Sequence, residues 1–428
     1  MKLWDKGQST DKKIEAFTVG KDRELDLILA KYDVQASMAH AQMLAKVGLV
    51  SAEEGDALLK ELRAIAKSID EGKFTIEKDF EDMHSKIEYL LTEKLGDTGK
   101  KIHTARSRND QILVAMQLYL KDEIESLEKA VSDLFKLLIQ LAETHQSVLL
   151  PGYTHLQIAM PSSFGLWFSS YAESLIDDVY LLKAAQKVTD QNPMGSAAGY
   201  GSSFDIDRSY TTDLMNFKTM KYNVIAAQMG RGKVEKTLSF AIASLAGTLS
   251  KLAMDCCLYM SQNFGFISFP DQLTTGSSIM PHKKNPDVFE LVRANCNVLQ
   301  SLPNTLLLLT NNLPSGYHRD LQLLKENMLP ALETLKSCLE ITTFSMEQIE
   351  VKKDILEDPK YDYLFSVENL NELVKQGLPF RDAYRKLGEE IGSGTYQPNK
   401  KVNHTHEGSI GNLCLEQIAQ KMDRALEG

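Results

Sequence analysis

The chain has little of what marks secreted, membrane or nucleic-acid-binding proteins. Its 428 residues include only five cysteines, Cys256, Cys257, Cys296, Cys338 and Cys414. They are odd in number and none are spaced C-x-x-C, which predicts reduced, mostly buried thiols in a cytoplasmic protein. No Cys/His cluster has zinc spacing, and His404-Thr405-His406-Glu407 is only a weak metal-like cluster in a tail loop. No apolar run reaches the length of about 18 residues that a membrane span needs. The first residues, MKLWDKGQST, lack the apolar centre of a signal peptide. The net charge is −10 and no long basic run occurs, which argues against nucleic acid as a partner. Strand signals are few and short, and there is no internal repeat or low-complexity tract.

Glycine and proline are absent from Lys100 to Leu150. Apolar residues recur through this stretch at Ile112, Leu113, Met116, Tyr119, Leu120, Ile124, Leu127, Val131, Leu134, Leu138 and Leu141. The spacing predicts one helix from about Asp110 to Glu143, roughly 50 Å long. Further helices are expected over 22–47, from a Ser51/Glu54 capping box to Ile69, and from Glu81 to Leu95. Beyond them, helices are expected from Pro161 to Val188, Lys233 to Asn263, Pro286 toward Leu309, and Asp320 to Gln348, with Pro330 kinking or restarting the last. A Gly-rich linker covers Asn192 to Asp207. Long helices with apolar stripes need partners along their whole length, so the expected fold is all-α with a central long-helix bundle. The length exceeds one ordinary core. The expected division is an N-terminal helical domain 1–107, a central bundle 108–360 and a small C-terminal helical domain 361–428.

Four polar clusters stand apart from the apolar stripes. The loop Gly276-Ser277-Ser278-Ile279-Met280-Pro281-His282-Lys283-Lys284-Asn285-Pro286-Asp287 reads as a flexible turn feeding a helix. Asn285 is placed to cap that helix and Pro286 to occupy its first position. Free amides and two ammonium groups there suit a carboxylate, although an ordinary polar loop has the same composition. Glu290, one turn on, could orient a histidine. His103 to Asp110 places two arginines beside the start of the longest helix, again suited to a carboxylate. A solvated, capped helix start is the plainer reading. Gly152 to Gln157 carries Thr154 and His155, a possible acid or base. Pro314 to Lys325 carries Tyr317, Gln322 and Lys325, the last two sharing one helix face.

Together these clusters resemble the argininosuccinate lyase family, which includes the delta-crystallins, within the aspartase/fumarase superfamily. The matching elements are G-S-S-x-M-P-x-K-K-N-P-D at 276–287, H-T-x-R-S-R-N-D at 103–110, P-G-Y-T-H-L-Q at 151–157 and L-P-S-x-Y-x-x-D-L-Q at 313–322. Gly377-Leu378-Pro379-Phe380-Arg381 and the opening Lys2-Leu3-Trp4 fit as well. The resemblance implies a three-domain fold whose bundle assembles into a tetrameric core. It also implies cleavage of argininosuccinate to arginine and fumarate with neither metal nor organic cofactor. The implied catalytic residues are His155, Ser277, Lys283 and Glu290. Ser277 is favoured as the base, with His155, paired to Glu290, serving the leaving guanidinium; the reverse assignment stays open. Ser107, Arg108, Asn109, Thr154, Ser278, Asn285, Tyr317, Gln322 and Lys325 would bind substrate. Asn109 and His155 lie at opposite ends of the long helix, so active sites shared between chains of a homo-oligomer are expected, and the homotetramer that the resemblance implies fits this. The alternatives are another fumarate-releasing lyase, such as one acting on adenylosuccinate, or a crystallin-like structural protein. No membrane or nucleic-acid partner is expected.

Overall fold

The computed structural model describes residues 11–276 and 278–428. Ser277 and the Lys2-Leu3-Trp4 opening therefore lie outside the described residues. The fold is all-α apart from short strand pairs. The helices that matter are α1 (Lys12–Val19), α2 (Asp22–Lys46), α3 (Ala52–Asp70), α4 (Met83–Leu95), α5 (Arg108–Thr144), α6 (Phe164–Thr189), α7 (Arg208–Leu214), α8 (Val224–Gln228), α9 (Lys233–Met260), α10 (Asp287–Leu299), α11 (Leu302–Leu309), α12 (Leu323–Met346), α13 (Ser366–Lys375), α14 (Phe380–Gly392) and α15 (Leu415–Glu427). Between α5 and α6 runs a hairpin of β1 (Leu149–Thr154) and β2 (Gln157–Ser163).

The expected helices form, for the expected reasons. Ser51 and Glu54 make their reciprocal capping bonds at α3, the Glu54 amide to Ser51 Oγ at 3.2 Å and the Ser51 amide to Glu54 Oε2 at 3.0 Å. α5 spans 37 residues. Its apolar stripe is buried at every expected position except the half-buried Leu141, and from Asp110 to Leu120 every residue is buried. Three expectations are corrected. Pro161 does not open a helix; it pairs with Pro151 in the hairpin, and α6 starts three residues later, where Ser163 Oγ accepts the Leu166 amide at 3.1 Å. The helix expected from Pro286 to Leu309 is two helices, α10 and α11, and Pro303 in the first turn of α11 marks the restart. Pro330 lies inside α12, which continues through it; a short 3₁₀ turn, Arg319–Gln322, stands where that helix was expected to begin.

The chain forms two compact units. The first comprises the described residues up to Leu127, with Leu181–Ala243 and Leu299–Thr334. In it α2 packs on α3 and α4, and Tyr32 donates to Asp122 at 2.8 Å. The second comprises Glu128–Tyr180, Ser244–Val298 and Leu335–Gly428. There Trp167 and Tyr171 of α6 both donate to Asp255 of α9, at 3.0 and 2.7 Å. Asp178 of α6 accepts from Ser244 and Thr248 of α9, at 2.6 and 2.7 Å. α9 is long and apolar enough to cross a membrane by length and composition alone, and half of its most apolar window is buried within the chain. All five cysteines are free thiols, and Cys256, Cys296 and Cys338 are buried.

Candidate active site

Two of the four polar clusters meet in the first unit. They line one cavity of about 200 Å³. Arg108 and Asn109 enter it from the first turn of α5, and Tyr317, Gln322 and Lys325 from the segment leading into α12. Ser107 sits at the helix start, where its hydroxyl accepts the Asn109 amide at 3.3 Å. The start of α5 adds the partial positive charge of its free amides.

The cavity walls are charged in both signs, and Arg108 and Lys325 are already paired with carboxylates. Arg108 Nη1 lies 3.1 Å from both Glu81 and Asp82. Lys325 is buried, with its Nζ 2.6 Å from Asp26 and 2.8 Å from Asp22. Burial alone would lower the Lys325 pKa, but the two carboxylates outweigh it and push it up, so the ammonium is held charged. Burial pushes the Asp22 carboxyl up against the pull of Lys325, and the like charge of Asp26 beside it adds to the rise. Gln322 donates to the Thr18 and Val19 carbonyls at 2.9 and 3.3 Å and accepts from Arg319 Nε at 3.0 Å. Arg231 lies over the Tyr317 ring, 5.2 Å from its centre.

In the same wall, His84 Nδ1 sits 3.0 Å from Asp33, both buried. Burial would lower the His84 pKa, yet Asp33, Asp82 and Asp26 raise it above its ordinary value. Asp82 caps α4 by accepting the Ser85 amide at 2.8 Å. Burial opposes its charge, but His84, Arg108 and the Ser85 bonds hold its carboxyl below the usual range.

Sequence reasoning missed Asp22, Asp26, Glu81, Asp82, His84, Arg231 and Arg319 as cavity residues. Two signals were available: the i, i+4 pair Asp22/Asp26 on one helix face, and Glu81-Asp82-x-His84 at a helix start.

The other two clusters belong to the second unit. Thr154 pairs with Gln157 at the end of the hairpin, so His155 and Leu156 form a two-residue turn. Both have left-handed backbones, with φ of 53° and 57°. Such a turn matches hairpin twist but favours Asn and Gly, so two ordinary side chains hold it under strain. The result is that His155 stands exposed at the hairpin tip. Lower down, Ala159 and Met160 together oppose Gly152, a bulge. A Cβ on Gly152 would lie 2.6 Å from the Met160 carbonyl oxygen, so only glycine fits there.

The loop from Thr275 to Asn285 is closed at its base by a bridge, with the Asn285 amide donating to the Thr275 carbonyl at 2.8 Å. Thr275 Oγ1 also donates to Asp287 in the first turn of α10, and Lys284 pairs with Asp271. α10 starts one residue after the expected Pro286. The loop displays Ser278 and Lys283 to solvent, with Asn285 half-buried at its foot and Glu290 exposed one turn along α10. No hydrogen bond or ion pair joins His155 to Glu290 among the described residues.

A family model described as a lyase matches residues 5–300. The matched segment carries the helix start, the hairpin and the loop just described. The fold is shared with the crystal structure of an EDDS lyase in complex with formate, at a TM-score of 0.79 and 19% identity, covering 98% of this chain and 90% of that one. Curated relatives are nearer in sequence. The argininosuccinate lyase of Bacteroides fragilis is 57% identical over 427 residues, 100% of this chain and 96% of that protein. That of Parabacteroides distasonis is 58% identical over 421 residues, 98% of this chain and 94% of that protein. The chain belongs to the argininosuccinate lyase family.

Proposed function

We propose that this protein cleaves argininosuccinate reversibly to L-arginine and fumarate, as a cytoplasmic enzyme of arginine synthesis. The observation that carries the reading is the cavity. Residues 108–109 and 317–325 converge on one cavity, whose Arg108, Arg231, Arg319 and Lys325 are donors suited to carboxylates. Within it Arg108, Asn109, Tyr317, Gln322 and Lys325, with Ser107 behind them, bind the substrate's carboxylates and polar groups.

The reaction removes a weakly acidic proton from the carbon beside a carboxylate and then breaks the bond to the guanidinium nitrogen. The intermediate is a doubly negative aci-carboxylate, so stabilising charge is the main task. Lys283, Asn285 and the amides around Ser278 suit it. Ser277 takes the proton, its alkoxide favoured by Lys283 and the loop amides in a closed, dry site. His155 protonates the departing nitrogen, with Glu290 orienting it, and Thr154 contacts substrate beside it.

The active sites are shared between subunits of a homotetramer. Along α5 the helical rise alone sets its two ends about 50 Å apart, and His155 follows the far end while Asn109 occupies the near one. The unpaired, exposed state of His155 and Glu290 within one chain supports a pairing made between chains. The segments 1–107, 108–360 and 361–428 are on this reading an N-terminal helical domain, the central long-helix bundle and a small C-terminal helical domain.

The test is fumarate release from argininosuccinate, read by absorbance, with Ser277→Ala as the control. Release by the parent and none by the variant supports the reading; no release by the parent sinks it. Mixing inactive Asn109→Ala and His155→Ala chains after dissociation tests sharing. Well-formed hybrids that regain no activity would count against it.

A further inference from the structure

The first turn of α5 holds an acidic residue that this mechanism leaves unused. Asp110 is fully buried. Its carboxylate accepts the Gly195 amide at 3.1 and 3.2 Å and the Ser196 hydroxyl at 3.1 Å. Ser196 Oγ in turn accepts from Gln228 Nε2 at 3.0 Å, and the same amide donates to the Ala197 carbonyl at 3.1 Å. Gln228 ends α8, and three residues later Arg231 lines the cavity. The turn is clamped from its other side by Arg208 of α7, which donates to the Met194, Lys221 and Tyr222 carbonyls at 2.8, 2.7 and 3.1 Å. Gly195, at φ +88°, lets the Arg208 side chain lie flat on it; a Cβ there would meet Arg208 Cγ at 2.7 Å.

We propose that Asp110 is a positioning residue that locks the turn Met194–Ala197 onto the first turn of α5, and so fixes Asn109 on one wall of the cavity and Arg231 on another. This rests on the reading of the cavity as the substrate site. Asn109 is the preceding residue in the chain and lines the cavity, whereas Asp110 is not among the lining residues. The clamp needs an anion, because the carboxylate serves several donors at once and a neutral carboxyl group accepts fewer of them well.

The clamp is acid-sensitive. Burial pushes the Asp110 carboxyl up to about 6, although the Gly195 and Ser196 bonds and the charge of Arg106 pull it down. The charged groups facing it are Arg106, before α5, and Arg208, on α7. Because the folded pKa lies above the ordinary 3.8, the ionised form costs stability above it, and that cost is relieved as pH falls through it. Acid therefore slackens the clamp without weakening the fold through this group. Loss of activity and loss of stability separate.

The experiment follows kcat/KM for argininosuccinate against pH, with Tm alongside, for the parent, Asp110→Asn and Ser196→Ala. In the parent, log(kcat/KM) falls in acid with a slope approaching two, one proton for the general base and one for Asp110. Asp110→Asn lowers kcat/KM at pH 8 about tenfold, mostly through KM, leaves an acid slope of one, and does not lower Tm. Ser196→Ala removes a bond to the charged form, so the acid limb moves to higher pH. A variant Asp110→Asn with parental kcat/KM and slope overturns the proposal, as does Ser196→Ala with an unshifted limb. If Asp110→Asn fails to fold, Ser196→Ala decides alone. A parent that releases no fumarate would instead strike the assigned reaction, and it is read in the same assay.

Discussion

The Lys325 ammonium lies 2.6 Å from the Asp26 carboxylate, and the two side chains are 4% and 1% exposed. A buried pair of this kind adds little net stability over an apolar pair, but breaking it is costly because the remaining charge is left without a partner. Lys325→Ala strands both Asp26 and Asp22. The expected loss is about 3 kcal/mol in denaturant unfolding, together with a fall in kcat/KM of at least about a hundredfold. Lys325→Ala with parental stability would show that the pair is not the buried anchor described above.

The His84–Asp33 pair gives stability a pH dependence of definite sign. The folded pKa of His84 is raised above 6.5. Its contribution is therefore complete below that value and is lost as pH rises through the raised one. Tm should decline from neutral toward alkaline pH by more in the parent than in His84→Gln. Parallel curves would remove His84 as the cause.

Gly152→Ala forces a Cβ against the Met160 carbonyl oxygen. The bulge must shift, at a cost of about 1–3 kcal/mol. Since the same hairpin carries His155, kcat should fall more than KM changes. A drop in Tm with unchanged kcat would show that the bulge does not govern the tip.

Leu156→Gly acts in the opposite sense on stability. Glycine at the second turn position takes the left-handed backbone freely and should stabilise the fold by up to about 1 kcal/mol. Thermal unfolding measures it; a lower Tm would mean that the exposed Leu156 side chain contributes more than the backbone strain costs.

What could be read from the sequence follows the range of the interactions. α5 was placed within two residues at either end because it has no glycine or proline and an unbroken stripe. The hairpin escaped because Pro151, Gly152 and Pro161 are ordinary signs of loops and helix starts; here the prolines pair with each other and the glycine faces a bulge. The break between α10 and α11 at Gln300-Ser301 was hidden by apolar residues on both sides. Arg108, Asn109, Tyr317, Gln322 and Lys325 were recognised through motifs. Asp22, Asp26 and Arg231 were not: Asp22 and Asp26 carry only the weak local sign of an i, i+4 pair, Arg231 carries none, and the partner of the two carboxylates, Lys325, lies far away in the chain.

Asp82 begins a helix and also holds Arg108. The Arg108 guanidinium is held between Glu81 and Asp82. On the proposed reading, a substrate carboxylate that reaches Arg108 competes with these two anions. Recognition there is a competition between anions, in which the incoming carboxylate still has to leave water. One carboxylate, that of Asp82, thus ties the start of α4 to the start of α5.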